Sequence, residues 1–161
     1  GVKIGPGTDG RQLQHLLQIL NPQAEAGRIV LIHRMGANNI EEKLPELIKA
    51  AQDMGSPVLW VCDPMHGNTE TVGTGIKTRR FRKILRETDT AIELHHQLGS
   101  HLGGVHLELT GEDVTECTGG ARNLAEADLE KAYKSIVDPR LNYEQALELA
   151  MLIVSKFEKL K

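Results

Sequence analysis

Arg28-Ile-Val-Leu-Ile32 is a continuous apolar run, and the polar stretch His33-Arg-Met-Gly36 follows it directly. Such a run is typical of a parallel β-strand that is covered on both faces. The stretch behind it places a cation, Arg34, where the strand ends. Because parallel α/β proteins, barrels above all, build their active sites at the carboxyl ends of strands, this segment predicts a parallel sheet and an enzyme.

The same arrangement occurs three more times along the chain. Lys3 lies in Gly1-Val-Lys-Ile-Gly-Pro6, His66 follows Pro57-Val-Leu-Trp-Val-Cys62, and Glu108 lies in Gly104-Val-His-Leu-Glu-Leu109. Apolar periodicity and capping residues predict helices between and after these strands. The predicted strands are 2–4, 28–32, 57–62 and 104–109, and the predicted helices are 11–20, Asn39 to Gly55, Thr78 to Gly99, 124–136 and one that starts at Asn142.

Local signals refine these elements. Asn142 and Gln145 form a capping-box pattern, and Gly5-Pro-Gly-Thr-Asp-Gly10 reads as a tight turn into a helix. Pro45 must lie near the first turn of its helix or bend it. The segments 63–77 and 110–123 are polar and glycine-rich, so we expect irregular loops there, and a connection as long as the first is usually functional or disordered.

Strands that alternate with helices predict an α/β fold with a parallel sheet. A complete (β/α)8 TIM barrel needs about 250 residues, whereas this chain has 161. We therefore expect the chain to supply about four C-terminal βα units of such a barrel, with residues 1–161 forming half of a catalytic domain. The chain starts on an apparent strand without an initiator Met or a signal peptide, so we expect a fragment and a cytoplasmic location.

Composition excludes several classes of protein. The net charge is −3, from 19 basic and 22 acidic residues, which argues against a nucleic-acid-binding surface. No apolar run reaches the ~20 residues that a membrane span requires. Two cysteines cannot form a disulfide framework; we expect Cys62 in the core, whereas the loop position of Cys117 allows exposure. His33 is ambiguous, and His15, His95, His96 and His101 are expected on the surface.

Three side chains form a candidate metal site. His66, Glu108 and Asp138 each lie at the end of a strand or in the loop after one, and a barrel would bring those ends together. An imidazole with two carboxylates suits Mn²⁺, Fe²⁺, Co²⁺ or Zn²⁺. Spacing alone leaves the alternative open that His66 bonds within its loop, that Glu108 pairs with a Lys or Arg, and that Asp138 starts a turn before Pro139.

Cations and one histidine complete the candidate residues. Lys3 and Arg34 could hold a phosphate or carboxylate, or could belong to structural ion pairs. The basic run from Lys77 to Lys83 reads as a solvated helix face, with Lys77 and Arg79 as the candidate exceptions. His106 shares a strand face with Glu108, so it either orients that carboxylate or is an ordinary inward polar residue.

Together these motifs closely resemble those of the type II 3-deoxy-D-arabino-heptulosonate 7-phosphate (DAHP) synthases. The strings that carry the resemblance are Asp63-Pro-Met-His-Gly-Asn-Thr69, Lys77-Thr-Arg79, Gly103-Gly-Val-His-Leu-Glu108, Thr110-Gly-Glu-Asp-Val-Thr-Glu-Cys-Thr-Gly-Gly120 and Asp138-Pro-Arg-Leu-Asn142. They are long and ordered, and the likeness runs from Val2 to the last helix.

The resemblance implies an enzyme of the shikimate pathway and of aromatic amino acid biosynthesis. The family condenses phosphoenolpyruvate with erythrose 4-phosphate on a TIM barrel and releases phosphate. By resemblance, His66, Glu108 and Asp138 are metal ligands, with Mn²⁺ the preferred ion, while Lys3 and Arg34 bind phosphoenolpyruvate. We also expect a homo-oligomer.

The chain departs from the family pattern in one important respect. In the family a cysteine from the N-terminal half completes the metal shell, and neither Cys62 nor Cys117 matches it. Some members carry a cysteine directly before the metal-binding Asp, where this chain has Val137. We therefore expect activity to need the N-terminal half as a partner. The alternatives are a non-catalytic half-barrel that binds a partner or self-associates, and a metal-dependent aldolase or phosphatase of another kind.

Overall fold

A computed structural model gives the positions of residues 1–73 and 75–160. Thr74, within the predicted loop 63–77, and Lys161 lie outside the described residues. Six strands and four α-helices are described, together with a 3₁₀-helix at Glu126–Lys131. In chain order they are β1 (Val2–Ile4), α1 (Gly10–Leu20), β2 (Ile29–His33), α2 (Ile40–Asp53), β3 (Val58–Cys62), β4 (Thr69–Thr71), β5 (Lys77–Arg79), α3 (Phe81–Gln97), β6 (Leu102–Val105) and α4 (Tyr143–Lys159).

Four of the strands form one parallel sheet in the order β1-β2-β3-β6, which confirms the predicted α/β fold with four parallel strands. Helices cover one of its faces. Leu31 and Trp60 pair in register on that face and are buried against apolar side chains of α1 and α2, such as Leu13 and Leu47. Burial of these side chains is the main stabilising contribution to the layer.

The opposite face of the sheet is only partly covered. Ile32 and Val61 remain partly accessible, and Leu59 is 42% exposed. The prediction that β2 is covered on both faces is therefore wrong within the described residues. Helices α1, α2 and α3 all contribute side chains to the same buried cluster, on one side of the sheet. None of the described helices has the length and apolar character that crossing a bilayer requires.

The predicted capping box at Asn142 and the predicted turn before α1 are both confirmed, and α1 has a capping box that was not predicted. Asp9 and Gln12 form a reciprocal capping box at α1, after a turn closed by a hydrogen bond from Thr8 N to Gly5 O, and Asn142 with Gln145 does the same at α4. At α2 the cap differs, because the Asn39 side chain donates to Met35 O instead of bonding the helix. Pro45 lies inside this helix, in its second turn.

The segment Lys77–Arg79 forms a strand, so the prediction that Thr78 caps a helix is wrong. It pairs antiparallel with Thr69–Thr71, and the helix begins only at Phe81. Thr78 is fully buried and its hydroxyl donates to Glu116 O, while Arg79 is also buried. These tertiary contacts outweigh the helical periodicity of the sequence at Thr78 and Arg79. The helix that the periodicity predicts is formed from Phe81 onward.

The predicted helix 124–136 is replaced by the short 3₁₀-helix and irregular chain. Side chains from another segment bind its backbone, since Glu116 accepts hydrogen bonds from Lys134 N and Ser135 N. The Thr115 hydroxyl likewise bonds Leu129 O and Ala132 N. Such side-chain bonds compete with helical hydrogen bonds for the same groups.

The fourth parallel strand lies earlier than predicted, at Leu102–Val105, so Glu108 follows the strand instead of belonging to it. His106 still donates its backbone N–H to Cys62 O. Beyond it the chain turns away from β3, and Glu108 O accepts from Leu141 N. Pairing with the segment before α4 therefore decides where the strand ends.

Both cysteines are buried, and so is one of the histidines that were expected on the surface. Cys62 is buried as expected, but Cys117 is also buried, between side chains such as Phe81 and Leu149, and burial raises its thiol pKa to about 12. His95 is buried as well, with its Nδ1 2.9 Å from the Ser100 hydroxyl. Packing of α3 on the sheet buries this histidine.

Candidate metal centre

The candidate side chains gather at the carboxyl ends of the parallel strands. Arg34 directly follows β2, and Asp63 directly follows β3 with His66 in the turn behind it. Glu108 and Asp138 come from the segments after β6, which pair with one another near Leu141. Parallel strands end on the same side of a sheet, so side chains distant in sequence meet there.

His66, Glu108 and Asp138 form a compact group. Each offers one ligand atom, and these three atoms lie within 4.8 Å of one another. His66 Nε2 is 3.2 Å from Glu108 Oε1 and 4.0 Å from Asp138 Oδ2. Ligand atoms that share one divalent ion at about 2.1 Å lie roughly 3 to 4 Å apart. The donor set of one imidazole and two carboxylates therefore fits a divalent transition metal ion in both spacing and chemistry.

Asp63 orients the imidazole of His66. Its side chain is fully buried, and Oδ2 lies 2.8 Å from His66 Nδ1. Oδ1 accepts from the backbone N–H groups of Met65 and His66. Burial alone would raise the pKa of the Asp63 carboxyl, but hydrogen bonds from Lys3 and His66 outweigh it and lower that pKa. An ionised carboxylate at Nδ1 favours the tautomer that leaves Nε2 free to face Glu108 and Asp138.

Two cations lie beside the carboxylates. Arg79 is fully buried, and its Nη1 donates to Glu108 Oε2 at 2.5 Å and to the carbonyl oxygen of Pro139. Lys77 Nζ donates to Asp138 Oδ1 at 3.2 Å. Lys77 and Arg79 were the predicted exceptions in the basic run that ends at Lys83, and both contact the candidate metal ligands. They offset the repulsion that two neighbouring carboxylates would otherwise experience.

Glu116 holds the loop that carries Asp138. Its carboxylate is fully buried and binds the backbone N–H groups of Lys134, Ser135 and Arg140, as well as the Arg140 guanidinium. Burial would raise the pKa of Glu116, but the bonds from Arg140 and the loop amides lower it below its usual value. A single side chain thereby fixes both ends of the loop.

Lys3 and Arg34 occupy neighbouring strand ends. Lys3 Nζ is 2.7 Å from Asp63 Oδ2 and 3.3 Å from His66 Nδ1, while its side chain remains 38% exposed. The Arg34 guanidinium lies against Gly5, with its Cζ 3.6 Å from the place where a Cβ on that glycine would be. Within residues 1–73 and 75–160, Arg34 forms no ion pair with a carboxylate. Lys3 is thus already paired, whereas the guanidinium is available to an anion.

His106 lies close to the group without belonging to it. Its ring centroid is 6.1 Å from that of His66, and the residue is exposed. No contact between His106 and Glu108 side chains supports the predicted orienting role among the described residues, although both follow β6.

Sequence reasoning assigned no role to Asp63 or Glu116. Asp63 carried a usable signal, because it is the first polar residue after a buried strand and stands three positions before His66. Glu116 carried no such signal. Its glycine-rich surroundings predict a loop, and its partners lie 18 to 24 positions away.

Comparisons with known proteins agree with the motifs. The model of the Class-II DAHP synthetase family matches residues 1–154. The chain is 48% identical over 153 residues to the phospho-2-dehydro-3-deoxyheptonate aldolase AroG of Mycolicibacterium smegmatis, covering 95% of the chain and 33% of that protein. It is 45% identical over 157 residues to the phospho-2-dehydro-3-deoxyheptonate aldolase of Streptomyces coelicolor, covering 98% of the chain and 35% of that protein. It is 47% identical over 161 residues to the Neurospora crassa protein of the same name, covering 99% of the chain and 34% of that protein.

The chain spans about a third of the length of the curated relatives it matches. The matched region nevertheless includes all three side chains of the candidate metal group and both cations at the strand ends. Since the family model covers residues 1–154 of 161, the resemblance seen in the motifs is confirmed, and the chain belongs to the class-II DAHP synthetase family.

Proposed function

We propose that this chain forms part of a DAHP synthase, which condenses phosphoenolpyruvate with erythrose 4-phosphate and releases phosphate. The observation that carries the proposal is the convergence of His66, Glu108 and Asp138 within 4.8 Å, in a chain of this family. Relatives that bear the aldolase name match over nearly the whole chain, which supports the same reaction here.

In this proposal His66 Nε2, Glu108 and Asp138 hold a divalent ion, with Mn²⁺ the first choice and Co²⁺, Fe²⁺ or Zn²⁺ compatible with the same donors. When bound, such an ion acts as a Lewis acid that polarises the aldehyde of the second substrate. Asp63 keeps the His66 ring in the orientation that presents Nε2, and the hydrogen bond from Arg79 holds the Glu108 carboxylate in place.

Lys3 and Arg34 bind phosphoenolpyruvate, which carries a phosphate and a carboxylate. Arg34 offers two parallel N–H donors to one of these groups, and Lys3 adds a mobile ammonium beside the metal ligands. Lys3 is already paired with Asp63, so we expect it to contact substrate while keeping that pair. Holding both substrates next to the same ion supplies proximity, and the cations stabilise negative charge as the new carbon–carbon bond forms.

We further propose that residues 1–161 are the C-terminal half of a TIM-barrel domain that lies in the cytoplasm. The partly covered sheet face, with Leu59 42% exposed, is the kind of surface that fills a barrel interior when further strands close it. The relatives are about three times longer, which leaves room for those strands and for the missing metal ligand. A homo-oligomer of the complete protein remains part of this proposal.

A second function, self-association without catalysis, is favoured by one observation. Helix α4 exposes Leu147, Met151 and Val154, each more than half accessible, along one stripe. Exposed apolar stripes of this kind mark interfaces. The stripe would fit a second copy of the chain as well as the missing part of a barrel.

A chimera distinguishes the two functions. This chain would replace the matching 153-residue segment of the Mycolicibacterium smegmatis relative, and phosphate release from phosphoenolpyruvate would be measured with erythrose 4-phosphate and Mn²⁺. We expect release that requires both substrates and stops with a chelator, whereas the 161-residue chain alone shows none. A folded chimera without activity, beside an active unmodified relative, would refute the catalytic proposal.

A further inference from the structure

A carboxylate on α3 is buried beneath the strand ends. Glu87 has no exposed surface, and its Oε1 accepts hydrogen bonds from the backbone N–H groups of Met35 and Gly36, both at 2.9 Å. These two amides directly follow Arg34. Burial raises the pKa of Glu87 to about 7, against the opposing effect of these bonds. A buried carboxylate is costly to keep, so the contacts that it makes need an explanation.

The second oxygen of the same carboxylate reaches the other loop. Glu87 Oε2 accepts from Asn68 Nδ2 at 2.6 Å, and Asn68 stands two residues after His66. Asn68 Nδ2 also donates to Pro64 O at 2.8 Å, while its Oδ1 accepts from Ala37 N at 3.0 Å. Both polar ends of the amide are therefore used, and they bond residues of both loops.

The two loops touch through their backbones. A Cβ added to Gly36 would lie 2.7 Å from Gly67 O, and one added to Gly67 would lie 2.4 Å from Gly36 N. No side chain fits between them, so the distance between the loops is set by direct backbone contact. Glu87 and Asn68 maintain that contact, because their side chains form hydrogen bonds with the backbone of both loops.

We propose that Glu87 and Asn68 form a buried clamp that positions the phosphoenolpyruvate-binding Arg34 and the metal ligand His66 as one unit. The inference rests on the proposed function of those two residues and goes beyond it, since the clamp touches neither substrate nor metal ligand. Both are positioning residues. If they are loosened, metal affinity and phosphoenolpyruvate affinity should fall together.

Exchange of donors and acceptors tests the clamp. Glu87→Gln keeps an oxygen for Met35 N and Gly36 N but places an amide nitrogen against Asn68 Nδ2. Asn68→Asp places a second carboxylate against Glu87. The double variant Glu87→Gln/Asn68→Asp restores one donor and one acceptor across the contact with residue 87. Both Asn68→Asp and the double variant place an oxygen against Pro64 O, so comparing these two isolates the effect of the restored bond. Such a cycle separates the coupling from the effect of each single change.

The first measurement is calorimetric Mn²⁺ titration of the purified chimera, which supplies the rest of the barrel and the remaining metal ligand. We expect each single variant to bind Mn²⁺ about tenfold more weakly, the usual effect of losing a group that orients a ligand. The double variant should come within about threefold of the parent chimera if the restored bond is the one that matters. Thr88→Val is the matched control, because Thr88 is buried next to Glu87 on α3 and its hydroxyl donates to Ile84 O on the same helix. It should leave the affinity unchanged.

The second measurement uses the chimera at saturating Mn²⁺. Each single variant should raise KM for phosphoenolpyruvate several-fold while kcat changes less, which a general loss of stability would not produce. Unchanged Mn²⁺ affinity in both singles, or a double variant weaker than either, would overturn the clamp and leave the metal site intact. If the single variants do not fold, the double variant alone tests the clamp. Mn²⁺ binding tenfold weaker in the double variant than in the parent would overturn it. A parent chimera that binds no Mn²⁺ refutes the proposed metal site, and the clamp with it.

Discussion

Asp63 holds His66 through a 2.8 Å contact between its buried Oδ2 and the imidazole Nδ1. The contact directs Nε2 toward the two other members of the candidate metal group. Asp63→Asn removes the charge that favours this tautomer, so we expect Mn²⁺ affinity to fall about tenfold or more. Calorimetric titration measures it, with Asp53→Asn, an exposed residue at the end of α2, as the control. Equal affinity in parent and Asp63→Asn would show that the contact serves folding alone.

The metal ligands themselves provide the most direct prediction. His66→Ala and Glu108→Ala each remove one of three protein donors, so both variants should lose Mn²⁺ binding by at least ~100-fold. Bound metal is measured by elemental analysis after gel filtration. His96→Ala, which removes an exposed imidazole from α3, should retain the metal. Unchanged metal content in both ligand variants would refute the site.

Neighbouring arginines on β5 and just after it should differ sharply in their effect on stability. Arg79 is fully buried against Glu108, whereas Arg80 is 44% exposed and pairs with Glu70 and Glu126. Arg79→Leu should lower the free energy of unfolding by about 3 kcal/mol, because the partners of a buried guanidinium are left unpaired. Arg80→Leu should cost less than about 1 kcal/mol. Urea denaturation compares them, and similar losses would contradict the assigned burial.

Arg34→Lys tests the substrate cation in the chimera. Lysine keeps the charge but loses the two parallel N–H donors, so KM for phosphoenolpyruvate should rise about tenfold. Arg11→Lys, at an exposed position of α1, is the matched control and should leave KM unchanged. Steady-state kinetics with varied phosphoenolpyruvate decide the outcome, and an unaltered KM for Arg34→Lys would remove this residue from the binding site.

His33 should make the fold sensitive to acid. Burial, aided by the nearby His95, lowers its pKa from 6.5 to about 3, and neither ring nitrogen has a hydrogen-bond partner in the described part of the chain. Below pH 6.5 the unfolded chain therefore binds a proton at His33 that the folded chain does not. The stability of the fold is unaffected by the titration of this residue above pH 6.5 and falls as the pH is lowered from 6.5 toward 3. Relative to His33→Phe, the parent should lose about 2 kcal/mol between pH 7 and pH 5.

Urea midpoints of parent and His33→Phe at the two pH values provide the comparison. Glu87 and His95 titrate in overlapping windows and Asp63 lies nearby, but all three remain in both proteins. The phenyl ring keeps the packing against Trp60 and His95. A constant difference between the proteins across the pH range would show that His33 titrates in the same way folded and unfolded.

Local signals were sufficient for much of the fold. Alternation of apolar runs with helical periodicity predicted the parallel sheet, because buried strands and amphipathic helices differ in their spacing of apolar residues. The cap at Asn142 was predictable because its partner, Gln145, lies three residues away. Where the decisive partner was distant, prediction failed. Thr78 lies in a strand that pairs with Thr69–Thr71 and its hydroxyl donates to Glu116 O, while the Glu116 carboxylate binds Ser135 N.

The sequence by itself determined the family, the order of the four parallel strands, and which side chains stand at or just after the strand ends, because motifs and periodicity are properties of neighbouring residues. Only the tertiary structure decided how those side chains interact. The contacts of Asp63 with Lys3, of Arg79 with Glu108 and of Glu87 with Asn68 join residues 19 to 60 positions apart. Such pairs carry no local pattern, since their energy arises from burial and charge that exist only after the sheet and its helices have packed.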